Sequence, residues 1–257
     1  METATINRLS FVNSNLDAFM SHLESSYLNQ NRGAFIVTAN PEIGYKAVED
    51  EDYGHVLASS DFILPDGIGV VMVSKLIGHP LQGRIAGYDI FTSLLTLAND
   101  KKKKIFLYGA TKDVLDSTIQ RIKLEYPNIE LAGSSDGFVE DKEKVAKEIA
   151  AAKPDLVFVA LGFPNQEHFI YQYRHLFPQA TAIGLGGSFD VFSGTAKRAP
   201  EFFIKLNLEW FYRLISNPSR WRRMLNIPKY FLAVIRNERD IKKYPYPEHI
   251  KDSSRNM

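Results

Sequence analysis

The string LVFVALGFPNQE, residues 156–167, decides how the chain folds. Its first six residues, LVFVAL, are apolar without a break. A strand with one wet face alternates apolar and polar residues, whereas a continuous run belongs to a strand covered on both faces, as in a parallel sheet. Gly162 and Pro164 interrupt the run, and Gln166-Glu167 then reads as the start of a helix. Working outward, the same pattern recurs. Apolar runs at Ala34–Ala39, Asp61–Leu64, Ile105–Gly109, Ile129–Gly133 and Ala180–Gly186 alternate with helix-length segments near 15–29, 42–50, 68–77, 88–100, 113–125, 141–152 and 165–176. Alternating β and α units predict an α/β fold, a Rossmann-like, mostly parallel sheet with helices on both faces. Ligands of such sheets bind beyond the carboxyl ends of the strands, so chemistry is sought there.

The remaining composition narrows the options. The chain has 257 residues, 45% hydrophobic and 24% charged, which suits one large domain with an appendage. It has no cysteine, so disulfides, thiolate nucleophiles, zinc–cysteine sites and iron–sulfur clusters are excluded. No stretch approaches the ~20 apolar residues that span a bilayer. The start, METATINRLSFVNSN, lacks a basic segment followed by an apolar run, and a cytoplasmic chain is expected.

Charge divides the chain. Residues 196–257 carry 14 Lys/Arg against 6 Asp/Glu, net +8; residues 1–195 carry 17 against 24, net −7. Pro200 opens an aromatic helix, FFIKLNLEWFYRLI, followed by a basic turn, SRWRR, and a second amphipathic segment, IPKYFLAVIRNERDIKK. We therefore expect an α/β domain over 1–195 and a basic helical appendage over 196–257. An anionic partner for the appendage follows: nucleic acid, substrate phosphates or an anionic membrane surface.

Candidate site residues cluster after the strands. Thr38 and Asn40 follow the first strong strand, although Asn40 before Pro41 equally spells a helix cap. Asp66, in PDG, is placed to take a proton from a substrate hydroxyl, or to cap a helix. Arg84, in GRIAGYD, is a catalytic candidate that suits a diphosphate and the charge on a leaving group, or else makes a surface salt bridge. Gly109 permits close backbone approach before a helix, and Gly186-Gly187 offers a cradle or a tight turn. Gln166 presents a donor and an acceptor, as a sugar or uracil edge requires, and Glu167 suits a ribose or a helix start. Neither GxGxxG nor GxxxxGK[ST] is present, which speaks against a dinucleotide oxidoreductase and a P-loop enzyme. No RNP, helix-turn-helix or zinc-finger signature supports a nucleic-acid module. Asp50-Glu51-Asp52 spells DxD, but it lies in an acidic stretch without a preceding strand and reads as a solvated helix end. No His spacing suits a metal.

Taken together, TANPE, LPDGIGVV, GRIAGYD, FLYGATKD, VFVALGFPNQE, GLGGSFDVFSGTAKRAP and LNLEWFYRLISNPSRWRR strongly resemble the WecG/TagA/CpsF glycosyltransferase family over residues 8–235. The similarity is greatest to the branch that builds the wall teichoic acid linkage unit. It implies transfer of N-acetylmannosamine from UDP-N-acetylmannosamine to the 4-hydroxyl of N-acetylglucosaminyl-diphospho-undecaprenol, with inversion to a β-1,4 linkage and without metal or cofactor. A related donor, such as UDP-N-acetylmannosaminuronic acid in capsule or exopolysaccharide synthesis, is the alternative. By position, Asp66 resembles the catalytic base, and Thr38 and Asn40 resemble cleft residues. Arg84 resembles the cationic partner of donor or acceptor phosphates, and Gln166 a residue near the nucleotide sugar. Arg213, Arg220 and Arg223 resemble tail arginines that close over the site. The implied location is peripheral, on the inner face of the cell membrane, with Trp221, Tyr230 and Phe231 at the interface, no nucleic-acid partner, and self-association left open.

Overall fold

The computed structural model describes residues 1–216, 221 and 225–241, with Arg213 and residues 238–241 described by backbone alone. The expected α/β architecture is observed. Eight strands form one sheet in the order β1-β2-β4-β3-β8-β7-β5-β6. Six of them lie where the apolar runs place them: β3 (Phe35–Ala39), β4 (Phe62–Pro65), β5 (Lys104–Gly109), β6 (Glu130–Ser135), β7 (Leu156–Ala160) and β8 (Thr181–Gly184). All pairings among these six are parallel. Every residue of β3, β4, β7 and β8 is buried, which is the physical meaning of their unbroken apolar spelling.

The other two strands were not anticipated. β1 (Thr3–Ile6) and β2 (Leu9–Val12) form an antiparallel hairpin, and β2 runs parallel to β4. Their turn is Asn7-Arg8, with φ of 47° and 67°. A two-residue hairpin turn of this hand needs both residues left-handed, which Asn tolerates and Arg does not advertise.

The helices are α1 (Leu16–Ser26), α2 (Pro41–Glu49), α3 (Glu51–Ala58), α4 (Ile68–Leu76), α5 (Gly87–Asp100), α6 (Lys112–Glu125), α7 (Lys142–Ala152), α8 (Asn165–Tyr173), α9 (Ser188–Phe192), α10 (Glu201–Lys205), α11 (Glu209–Ser216) and α12 (Asn226–Ile241). The acidic stretch after α2 starts a helix of its own. Asp50 caps α3 by accepting from the Tyr53 N–H at 3.1 Å and pairs with Lys46 at 2.9 Å. The chain leaves β3 towards β4 on one side, while β8 is reached from β7 on the other. Connections diverge between β3 and β8, which leaves a crevice at their carboxyl ends.

The segment after residue 195 differs from expectation in two respects. The aromatic helix opened by Pro200 is broken into α10 and α11, with Asn207 between them at φ 59°. Asn enters the left-handed region readily and ends helices for that reason. Secondly, Tyr230 does not face a membrane. Tyr230 and Val234 of α12 are buried in the same core as the strands. α12 lies on α2 and α4, and Gly44 makes the room: a Cβ there would stand 2.5 Å from Tyr230 Cε2. An amphipathic helix buries its apolar face wherever one is offered, and α2 offers it. Phe231 is half-buried and Trp221 is exposed.

Truncating Tyr230→Ala removes a fully buried aromatic ring and is expected to cost about 3–5 kcal/mol, measurable as a lowered urea midpoint. A loss below about 1 kcal/mol would mean that α12 does not rest on the body in solution.

Candidate active site

Backbone geometry brings the strand ends together. Thr38 Oγ1, at the end of β3, donates to the Gly184 carbonyl at 2.9 Å and ties β3 to β8 where the crevice opens. Asn40 accepts from the Ile43 N–H at 3.0 Å, so the capping role is real; its side chain also lines the crevice. After β4, the Asp66 N–H donates to the Ala39 carbonyl at 3.0 Å, and Gly67 turns the chain into α4 at φ 103°, a region closed to most side chains. A Cβ added at Gly87 would lie 3.4 Å from Thr38 Oγ1, 3.5 Å from Asp66 Oδ2 and 3.7 Å from Ser188 Oγ. Three oxygens, from the ends of β3 and β4 and the start of α9, therefore converge on the first residue of α5.

The crevice has two chambers. The inner one, about 160 Å³, is largely polar and is lined by Thr38, Asp66, Gly87, Gln166, Gly186 and Gly187, among others. The outer one, about 430 Å³, lies between body and tail and is largely apolar, with Ile68, Met72, Trp210, Ile227 and Phe231 around Arg84. Asn40, Glu42, Asp66 and Glu209 line both, so Asp66 stands at their junction.

Positive potential comes partly from backbone. α1, α2, α3, α6 and α7 begin with side-chain caps from Asn15, Asn40, Asp50, Thr111 and Asp141. α4 and α5 begin at Gly67 and Ala86 with no side-chain cap. The first turn of α4 lines the outer chamber and that of α5 the inner one. N–H groups left uncapped at a helix start attract anions. Arg84 adds a full charge to the outer chamber, where its Nη1 pairs with Glu209 Oε2 at 2.8 Å.

Not every expected residue meets the cavity. Gln166 lines it, but both ends of its amide are engaged. Oε1 accepts from the Gly186 N–H at 2.9 Å, and Nε2 donates to Glu167 Oε1 at 2.8 Å. Gln166 thus holds the glycine turn, with Gly186 at φ 52°. Glu167, expected at a ribose or a helix start, is fully buried beneath Gln166 and lines neither chamber, so it has no surface for a ligand. Burial raises its carboxyl above the ordinary 4.5, opposed by the hydrogen bond from Gln166. Its charge in turn adds to the burial that raises the Tyr53 phenol. No hydrogen bond of acceptable geometry joins Glu167 Oε2 to the Tyr53 hydroxyl.

Gly109 is also explained without a ligand. At φ 125°, a Cβ there would lie 2.4 Å from the Ala160 carbonyl, so the close approach is to β7, and Gly109 lines neither chamber. Arg213 lies in α11, described by backbone alone; Arg220 and Arg223 lie outside the described residues. Glu209 and Ser188 were not anticipated. Glu209 is the one acidic residue within an otherwise apolar and basic helix, LEWFYRLI, and that anomaly was the available signal. Arg198 pairs with Asp89 and lies 4.4 Å from the Tyr88 ring centroid, which pins the start of the tail beside α5.

A mostly parallel sheet with a polar crevice at its switch point and an apolar annex beside it offers a place for a ligand with polar and apolar parts. Residues 4–244 match the family described as "Glycosyl transferase WecG/TagA/CpsF family", and the chain belongs to it. A protein of Bacillus spizizenii is 64% identical over 257 residues, covering all of both chains, and one of Bacillus subtilis is 60% identical with the same coverage. A Staphylococcus aureus protein is 36% identical over 235 residues, 91% of this chain and 92% of its own. All three are named N-acetylglucosaminyldiphosphoundecaprenol N-acetyl-beta-D-mannosaminyltransferase.

Glu167 makes stability depend on pH with a definite sign. Its folded-state affinity for the proton exceeds the unfolded value, so the contribution is whole below about pH 4.5 and is lost as pH rises through the raised folded value. Glu167→Gln removes the titration. Its melting temperature relative to wild type should climb with pH above 4.5; parallel curves would show that Glu167 does not titrate abnormally.

Proposed function

We propose that the chain transfers N-acetylmannosamine from UDP-N-acetylmannosamine to the 4-hydroxyl of N-acetylglucosamine carried on undecaprenyl diphosphate, forming a β-1,4 linkage with inversion. The observation that carries this reading is Asp66 at the junction of a polar and an apolar chamber, in a chain 60–64% identical along its whole length to proteins bearing that activity in their names.

The nucleotide sugar occupies the inner chamber, its diphosphate against the uncapped start of α5 and the Gly186-Gly187 turn. The acceptor sugar enters from the outer chamber, its lipid along Ile68, Met72 and Phe231. Asp66 accepts the proton of the 4-hydroxyl as that oxygen bonds to the anomeric carbon. The bond from the anomeric carbon to the diphosphate breaks, and its electron pair leaves with UDP. Helix-start amides and guanidinium groups stabilise that charge, each such contact being worth about 3 kcal/mol in a site shielded from water. Arg84 lines the outer chamber only, and therefore serves the diphosphate of the acceptor. Arg213, Arg220 and Arg223 supply further cations from the tail. The arrangement asks for no divalent cation.

Residues 196–257 bring the crevice to the membrane. Among the described residues no helix is long and apolar enough to cross one. Exposed Phe202, Leu206, Phe211, Ile215 and Trp221, within a segment of net charge +8, suit the inner face of an anionic membrane.

The test is a transfer assay with UDP-N-acetylmannosamine and a lipid-diphosphate N-acetylglucosamine acceptor. Wild type should turn over equally with and without EDTA. Asp66→Asn should lower kcat by about 100-fold or more with the fold intact. Turnover within a few-fold of wild type removes Asp66 from the role of base; absence of transfer by wild type refutes the substrate pair.

A further inference from the structure

The contact between Arg84 and Glu209 crosses from body to tail, and it is nearly sealed. The Arg84 side chain is 15% exposed and that of Glu209 11%. An ion pair taken this far from water gains little net stability, because desolvation offsets the attraction. Arg84 sits in the loop before α5, whereas Glu209 is the first residue of α11. Both face the outer chamber, and Glu209 reaches the inner one too. A guanidinium kept there for a diphosphate would be an uncompensated buried charge whenever the chamber is empty. A carboxylate is the side chain that best imitates phosphate oxygens towards arginine.

Resting on the assignment of Arg84 to the acceptor diphosphate, we propose that Glu209 is an internal stand-in for that diphosphate: its carboxylate occupies Arg84 in the empty enzyme and must give way when the acceptor arrives. The two anions compete for one guanidinium, and like charge disfavours their coexistence. Acceptor binding therefore works against the Arg84–Glu209 bond and frees the start of α11. Glu209 is a positioning residue: it acts through Arg84 and sets the acceptor's apparent affinity. A ligand biases such an equilibrium only by its different affinity for the two states, and here the difference is the occupied or vacated guanidinium.

The experiment uses the full chain with a short-chain alkyl-diphospho-N-acetylglucosamine acceptor, UDP as the control ligand, and the variants Glu209→Gln, Arg84→Ala and the double substitution. Glu209→Gln should lower the acceptor KM about ten-fold and leave the UDP Kd within two-fold of wild type. Arg84→Ala should raise the acceptor KM about ten-fold, and in that background Glu209→Gln should gain nothing. Glu209→Asp, which keeps the charge, should retain a KM near wild type. A bridge that merely held the tail in place would give the opposite sign, a raised KM in Glu209→Gln. If Arg84→Ala raises the acceptor KM but Glu209→Gln leaves it unchanged or raises it, the stand-in is refuted while the phosphate role of Arg84 survives. If Arg84→Ala alters UDP binding instead, or neither ligand, the assignment of Arg84 itself fails and the stand-in falls with it.

Discussion

Two helices whose first turns line the crevice, α4 and α5, begin without a side-chain cap, as do α8, α9 and α10 among the described residues. Five other helices close their starts with Asn, Asp or Thr, so the sequence has caps to spend. At Gly67 and Ala86 it spends none. Uncapped amides are tolerated where water or a ligand can satisfy them, and they carry roughly half a positive charge into that space. The start of α4 opens on the outer chamber, and those of α5 and α9 open on the inner one. The reaction proposed above joins two diphosphate-bearing molecules and would need two separate anion sites; the uncapped starts of α4 and α5 face separate chambers.

The glycines and small residues follow from the same constraint. Gly87 leaves open the space towards which Thr38, Asp66 and Ser188 direct their oxygens. Gly186 adopts a backbone region that suits glycine, and Gln166 holds it there from below. Glu167 Oε1 in turn accepts from Gln166 Nε2, while Gln166 Oε1 faces the turn and accepts from the Gly186 N–H. The string FPNQE therefore both lines the inner chamber, through Phe163 and Gln166, and shapes the glycine turn beside it.

The parallel strands were legible because burial on both faces leaves a direct trace in sequence, an unbroken apolar run. The β1–β2 hairpin was not, because its strands have four residues each and its turn is Asn7-Arg8, without the glycine that usually marks such a turn. Gly109 and Glu167 illustrate a second limit. One ends a strand and the other lies in the first turn of a helix that follows one, near where ligands bind, yet each meets a neighbour distant in sequence: Ala160 for Gly109, and Tyr53 for Glu167. Position on an edge is written locally; what faces it across the sheet is not. The tail shows the same division. Its charge and amphipathic spelling were readable, but the seating of Tyr230 over Gly44 requires two segments nearly two hundred residues apart.

That seating changes what the tail can do. A segment tethered only at its start would have to find the crevice anew for each turnover. α12 is instead anchored by Tyr230 and Val234, and α10 begins shortly after Arg198, which is held by Asp89. α11 lies between these two fixed points, and its first residue, Glu209, pairs with Arg84 of the body. The start of α11 is thereby held beside the crevice by the contact that, on the proposal above, an incoming diphosphate would contest. Charge at the site and the seating of α11 are then linked through the Arg84 guanidinium.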